Sequence, residues 1–105
     1  MLKVISFKSI ERQVSRLTLV EYTNSLTYHA RYSPGFLYSD SYWIKTDKNC
    51  KIATISCWKS STDWKKWYSS PIRKDIETSY KNNNIKQEFF ELNNQKLSND
   101  DIFLL

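Results

Sequence analysis

CWKSSTDWKKWYSSPIRKDIE, from Cys57 to Glu77, is the stretch whose reading decides the fold. An apolar run, Ile52 to Trp58, ends in Lys59-Ser60-Ser61-Thr62, and a helical pattern follows at once. Ser60 with Asp63 three residues on is a helix start: the serine oxygen accepts an orphan backbone N–H, and the carboxylate suits the positive end of the dipole. Trp64, Trp67 and Tyr68 fall at i, i+3 and i+4, so they line one helix face. Ser70-Pro71 restarts the count, because proline is tolerated in a first helical turn and disrupts an interior. Ile72, Ile76 and Tyr80 continue an apolar stripe at spacing four. The stretch therefore reads as the end of a strand, a tight turn and a broken helix from Thr62 to about Lys81. Trp58, Trp64 and Trp67 gather at one end of it.

Upstream, Phe36–Thr46 reads as a strand, with Phe36, Tyr38, Tyr42 and Ile44 on one parity and Leu37 and Trp43 on the other. Asp47-Lys48-Asn49 turns it into the strand Cys50–Trp58, so the two form a hairpin. Before them lies a helix whose stripe is Leu19, Tyr22, Leu26 and His29/Ala30. It starts at Ser15 or in a Thr18–Glu21 capping box, and Ser33-Pro34-Gly35 ends it. A first strand covers about Lys3–Ser9, with apolar residues of both parities (Val4; Ile5, Phe7). Downstream, Asn82-Asn83-Asn84 is a turn and Ile85–Leu92 a last strand. The tail from Asn93 is polar until Ile102–Leu105.

The order β-α-β-β-α-β predicts an α+β, ferredoxin-like domain: one four-stranded antiparallel sheet with both helices on one face. The chain of 105 residues reads as a single domain with a core of about residues 3–92. The sheet's other face is the difficulty. Each large side chain left unburied there forgoes roughly 1.5–3 kcal/mol, and apart from a short tail no segment of the sequence is left to cover it. A second copy of the chain is the simplest cover, which predicts a homodimer.

Composition removes several function classes. Gly35 is the only glycine, which leaves no glycine-rich phosphate loop and no dinucleotide fingerprint. Cys50 and Cys57, seven residues apart on one strand, would point to opposite faces up to ~23 Å apart, so no disulfide joins them. With one histidine and no close cysteine pair, a zinc site has no support. The net charge of +5 is scattered, and the pairs Lys65-Lys66 and Arg73-Lys74 read as solvated helix faces. An RNA-recognition module of the same β-α order needs a basic-glycine-aromatic motif on its third strand. Lys51–Trp58 has no glycine and no aromatic before Trp58, so no nucleic-acid partner is expected. No signal peptide or run of ~20 apolar residues appears, which predicts no membrane partner and a cytoplasmic protein. The unusual feature is aromatic content, with Trp 4, Tyr 7 and Phe 5. Such residues build a bulky core or line a pocket.

These residues resemble the antibiotic biosynthesis monooxygenase family of the dimeric α/β barrel superfamily, over about Lys3 to Leu92. The likeness is carried by Ser33-Pro34-Gly35-Phe36, by Trp58-Lys59-Ser60, by Trp64, by Trp67 nine residues past Trp58, and by Ser70-Pro71. The resemblance implies two sheets packed face to face as a dimeric α/β barrel, with a pocket between sheet and helices in each subunit. It implies a cofactor-independent monooxygenase acting on a small aromatic or polyketide-like molecule. The alternative is a non-catalytic dimeric ligand-binding or regulatory protein of the same fold. The haem-degrading branch needs a histidine ten residues past the position of Trp67, where this chain has Glu77, and an asparagine near Lys8 on the first strand. Both departures argue against haem, so no cofactor and no metal are expected. The candidate site residues are Trp67, Tyr22, Trp58 and Tyr68 for a flat aromatic substrate. His29, with an ordinary pKa near neutrality, is the candidate catalytic base. No Ser/His/Asp set and no close carboxylate pair offers hydrolysis.

Overall fold

The computed structural model describes residues 1–11 and 16–92. Its elements are β1 (Leu2–Glu11), α1 (Arg16–Ala30), β2 (Phe36–Ile44), β3 (Asn49–Trp58), α2 (Ser61–Tyr68), α3 (Pro71–Ser79), a 3-10 turn at Lys81–Asn83, and β4 (Lys86–Leu92). The strands form one sheet in the order β2-β3-β1-β4, every pairing antiparallel. This is the α+β ferredoxin-like arrangement that the order of elements predicts.

Register follows from alternation along β1. Val4, Ser6, Lys8 and Ile10 are buried, whereas Ile5, Phe7 and Ser9 between them are half-buried. The buried parity continues across the sheet: Val4 lies opposite Ser56, Ser6 opposite Thr54 and Phe89, and Lys8 opposite Ile52 and Gln87. Over this face the helices close the main core, in which Val4 and Trp58 meet Tyr22, Leu26, Ala30, Trp64, Trp67 and Ile76. A smaller cluster of Ile10, Leu19, Cys50 and Ile52 fills the other end. On the opposite face, Ile5 is flanked by Ile55 and Phe90, and Tyr38 and Tyr42 lie opposite Cys57 and Ala53. Tyr38, Tyr42, Phe90 and Leu92 are exposed there.

The helix starts form as their sequences dictate. Ser60 caps α2, its Oγ accepting the Asp63 N–H, and Ser70 caps α3 by accepting the Arg73 N–H, with Pro71 in the first turn. Gly35 has φ +84, and its carbonyl accepts the Lys59 N–H at 2.8 Å. Cys50 and Cys57 are free thiols.

Four expectations shift. A β-bulge between Phe36 and Tyr38 breaks the parity expected along β2, so Phe36 packs on Trp58 at the helix side while Tyr38 and Tyr42 lie on the opposite face. Thr18 lies inside α1, not at its cap, and the rival start Ser15 falls outside the described residues. Ile72 is exposed, while Arg73 is 3% exposed and joins Ile76 on the buried side of α3. The physical reason is the interruption at Ser69-Ser70: α3 takes its rotation from its own packing, not from the phase of α2. Arg73 is thus no member of a solvated pair. The tail expected from Asn93 lies outside the described residues. Among the described residues no helix is long and apolar enough to cross a membrane.

Candidate ligand-binding cavity

A cavity of about 40 Å³ lies between sheet and helices. Val4, Ser6 and Lys8 of β1, Thr54, Ser56 and Trp58 of β3, and Gln87 and Phe89 of β4 supply its floor. Its roof is Leu26, Thr27 and Ala30 of α1, Trp64 and Trp67 of α2, and Arg73 of α3. Period two on the strands brings a row of hydroxyls and one amine to the floor, and the i, i+3 pair on α2 sets two indoles above it.

The walls are a run of aromatic contacts. Trp58 meets Phe36 edge-on at 5.4 Å and Trp64 at 5.8 Å, and Trp64 meets Phe89 at 5.6 Å. The Trp58 indole N–H donates to Ser56 Oγ at 3.0 Å. The Arg73 guanidinium lies over the Tyr68 and Phe89 rings, at 4.2 and 5.1 Å from their centroids. It donates to the Tyr68 carbonyl at 3.0 Å and pairs with Glu77 at 3.4 Å. Cation–π stacking and one carboxylate thus compensate the burial of this arginine.

Among the described residues Lys8 has no such carboxylate. It is 2% exposed, and Nζ donates to Thr54 Oγ1 at 2.9 Å and Ser6 Oγ at 3.2 Å. Thr54 Oγ1 is shared with Ser41 Oγ at 2.8 Å. Burial lowers the Lys8 pKa from 10.5 to about 8, because desolvation penalises the ammonium. At pH 7 the ammonium still predominates, and the amine takes over above about pH 8.

Of the sequence-predicted residues, the structure brings Trp67 and Trp58 to the cavity. Tyr22 is buried beside it and donates to Gln87 Oε1 at 2.8 Å. Burial raises its pKa to about 12, with Glu77 adding to the rise and Arg73 opposing it, so the phenol stays neutral. Tyr68 stacks behind the wall, on Trp64 and Phe89, and is partly exposed. His29 is not among the lining residues: its Nδ1 lies 2.9 Å from the Ser25 carbonyl, and its ring packs edge-on against Tyr28. The geometry does not bring His29 together with the tryptophans. Sequence reasoning passed over Lys8 and Arg73 as site residues. For Lys8 the signal was its parity, shared with Val4 and Ile10 in the middle of a strand.

No protein-family model and no curated protein matches the sequence. Solved structures do match. The chain is similar to SnoaB, a cofactor-independent oxygenase from Streptomyces nogalater, with a TM-score of 0.72 at 11% identity over 92% of this chain and 97% of that one. It is similar to a structure described as an antibiotic biosynthesis monooxygenase, with a TM-score of 0.73 at 14% identity over 91% and 100% of the two chains. An Arabidopsis thaliana protein gives 0.73 at 12% identity over 93% and 99%. At such identities the likeness is one of fold, and it agrees with the family resemblance read from the motifs. The chain has the α+β fold of the antibiotic biosynthesis monooxygenase structures.

Proposed function

We propose that the protein works as a homodimer that takes a small flat aromatic molecule into this cavity and oxygenates it without a cofactor. The observation that carries the reading is the cavity itself, with Trp64 and Trp67 over a floor that holds Trp58 beside a row of polar side chains, at the interface of sheet and helices. Flat rings stack on indoles, and the few polar groups below fix orientation. In the reaction, an electron-rich aromatic loses a proton and its anion reduces oxygen directly. At a ring CH₂, one oxygen atom stays as the carbonyl and the other leaves as water. The protein supplies aromatic walls, exclusion of water and a positive floor. The likeness to a cofactor-independent oxygenase supports this reading.

A volume of 40 Å³ holds only a few waters, whereas ligand pockets run to several hundred cubic ångströms. Binding therefore requires the cavity to widen. The placement of His29 away from the cavity favours a second reading, a dimeric ligand-binding protein with no reaction.

Trp67→Phe tests the site. The indole N–H of Trp67 enters no hydrogen bond among the described residues, and phenylalanine keeps most of the apolar volume. The variant should cost no more than about 1.5 kcal/mol in urea unfolding and weaken binding of a hydroxynaphthoquinone probe. A large stability loss with unchanged binding would make Trp67 a packing residue only. Oxygen uptake with an anthrone-type substrate separates the oxygenase from the binder.

A further inference from the structure

Lys8 occupies the centre of the sheet, on β1 between β3 and β4, opposite Ile52 and Gln87. From there its side chain does not reach bulk water, the usual resort of a partly buried lysine. Its partners, Ser6 and Thr54, are neutral hydroxyls. Among the described residues no aspartate or glutamate lines the cavity that Lys8 faces, and the other ion in its wall, Arg73, is also a cation. Arg73 is compensated by Glu77 and by two aromatic rings. Lys8 is not, although buried charges in proteins are ordinarily paired. Among the described residues the charge balance of the cavity is incomplete by one anion.

We propose that the ligand supplies it: the cavity takes an aromatic carboxylate, its carboxylate on Lys8 Nζ and its rings against Trp64 and Trp67. The proposal rests on the ligand-site reading above and names the class of ligand. Lys8 is then a specificity-determining residue, because a neutral ring of the same shape leaves the ammonium unpaired. Ser6 and Thr54 hold Nζ in place, so the carboxylate meets a preorganised donor.

The test is calorimetric titration at pH 7 with 2-naphthoate and its neutral isostere 2-naphthamide, on the wild type, Lys8→Met and Lys8→Gln. Circular dichroism checks that each variant is folded. In the wild type the carboxylate should bind at least about tenfold tighter than the amide, the usual worth of a hydrogen bond to a charged group. Both variants should lose that preference while still binding the amide. Equal affinities in the wild type, or a preference that survives in Lys8→Met, would overturn the assignment and leave an aromatic site without charge selection. A preference surviving in Lys8→Gln alone would assign it to hydrogen bonding, which also overturns the proposal. If neither probe binds the wild type, both this inference and the ligand-site reading fail.

Discussion

A single side chain, Lys8, carries most of the chemistry that distinguishes this cavity from plain core. Its folded pKa is about 8 against 10.5. Between those values the unfolded chain holds a proton that the folded chain has lost, so the Lys8 contribution to stability rises with pH. Below pH 8 both states are protonated and the cost of the buried ammonium is present in full, on the order of 3 kcal/mol. Lys8→Met should therefore be more stable than the wild type at pH 7, and its advantage should shrink toward pH 10.5. Urea unfolding of both proteins at pH 7 and pH 10 reads this directly. An equal gap at the two pH values would mean that the folded protein does not penalise the charge. A residue retained at such a cost is what a binding site looks like from the side of stability. Sequence alone shows Lys8 on the parity of Val4 and Ile10. It does not show whether water or a helix covers that position, and the cost depends on that.

The elements show where local signals suffice. Ser60 caps α2 as the sequence reads, and the restart at Ser70-Pro71 holds with Ser70 as a cap of the same kind, because a cap is made by residues three apart. The rotation of α3 was not legible: after the break at Ser69-Ser70, long-range packing of Arg73 and Ile76 overrides the Ile72 stripe. Gly35 lies between these cases. Its role as a helix stop is local, but its position also admits α2, since a Cβ there would overlap the Asp63 side chain. Gly35→Ala meets two penalties, a positive φ and that overlap. It should cost about 1–3 kcal/mol from the backbone alone and push the start of α2 outward, which moves Trp64. The measurement is the urea midpoint together with tryptophan emission. An unchanged midpoint and spectrum would show that the loop relaxes freely and that Gly35 does not set the position of α2.

At the scale of the whole molecule, the sheet has two faces with separate tasks. The helix side encloses the cavity; the other side presents Ile5, Phe7, Ile55 and Phe90, with Tyr38 and Tyr42 exposed toward one edge. The apolar residues of both parities on β1 were legible because period two sorts side chains without tertiary information, whereas on β2 the bulge between Phe36 and Tyr38, which no local signal marks, sends Phe36 to the helix side and leaves Tyr38 and Tyr42 on the other. An open apolar face of this kind is buried by a second copy in the simplest closed assembly, and a stable contact needs at least ~1,000 Å². Sedimentation at micromolar concentration should give twice the 12.6 kDa chain mass. Ile5 sits at the centre of the face, between Ile55 and Phe90. Ile5→Lys places a charge where the copies would meet, and its ammonium is solvated in a monomer but desolvated in a dimer. The variant should fall to the monomer mass with its far-ultraviolet spectrum kept. Because Ile5 and Lys8 have opposite parity on β1, the two substitutions should act independently. Ile5→Lys should leave ligand affinity within a few-fold of the wild type, and Lys8→Met should leave the dimer intact. A wild type that sediments as a clean monomer would refute the dimer. A monomeric Ile5→Lys that no longer binds ligand would show that the dimer contact supports the cavity through the sheet, and that the two faces are one site.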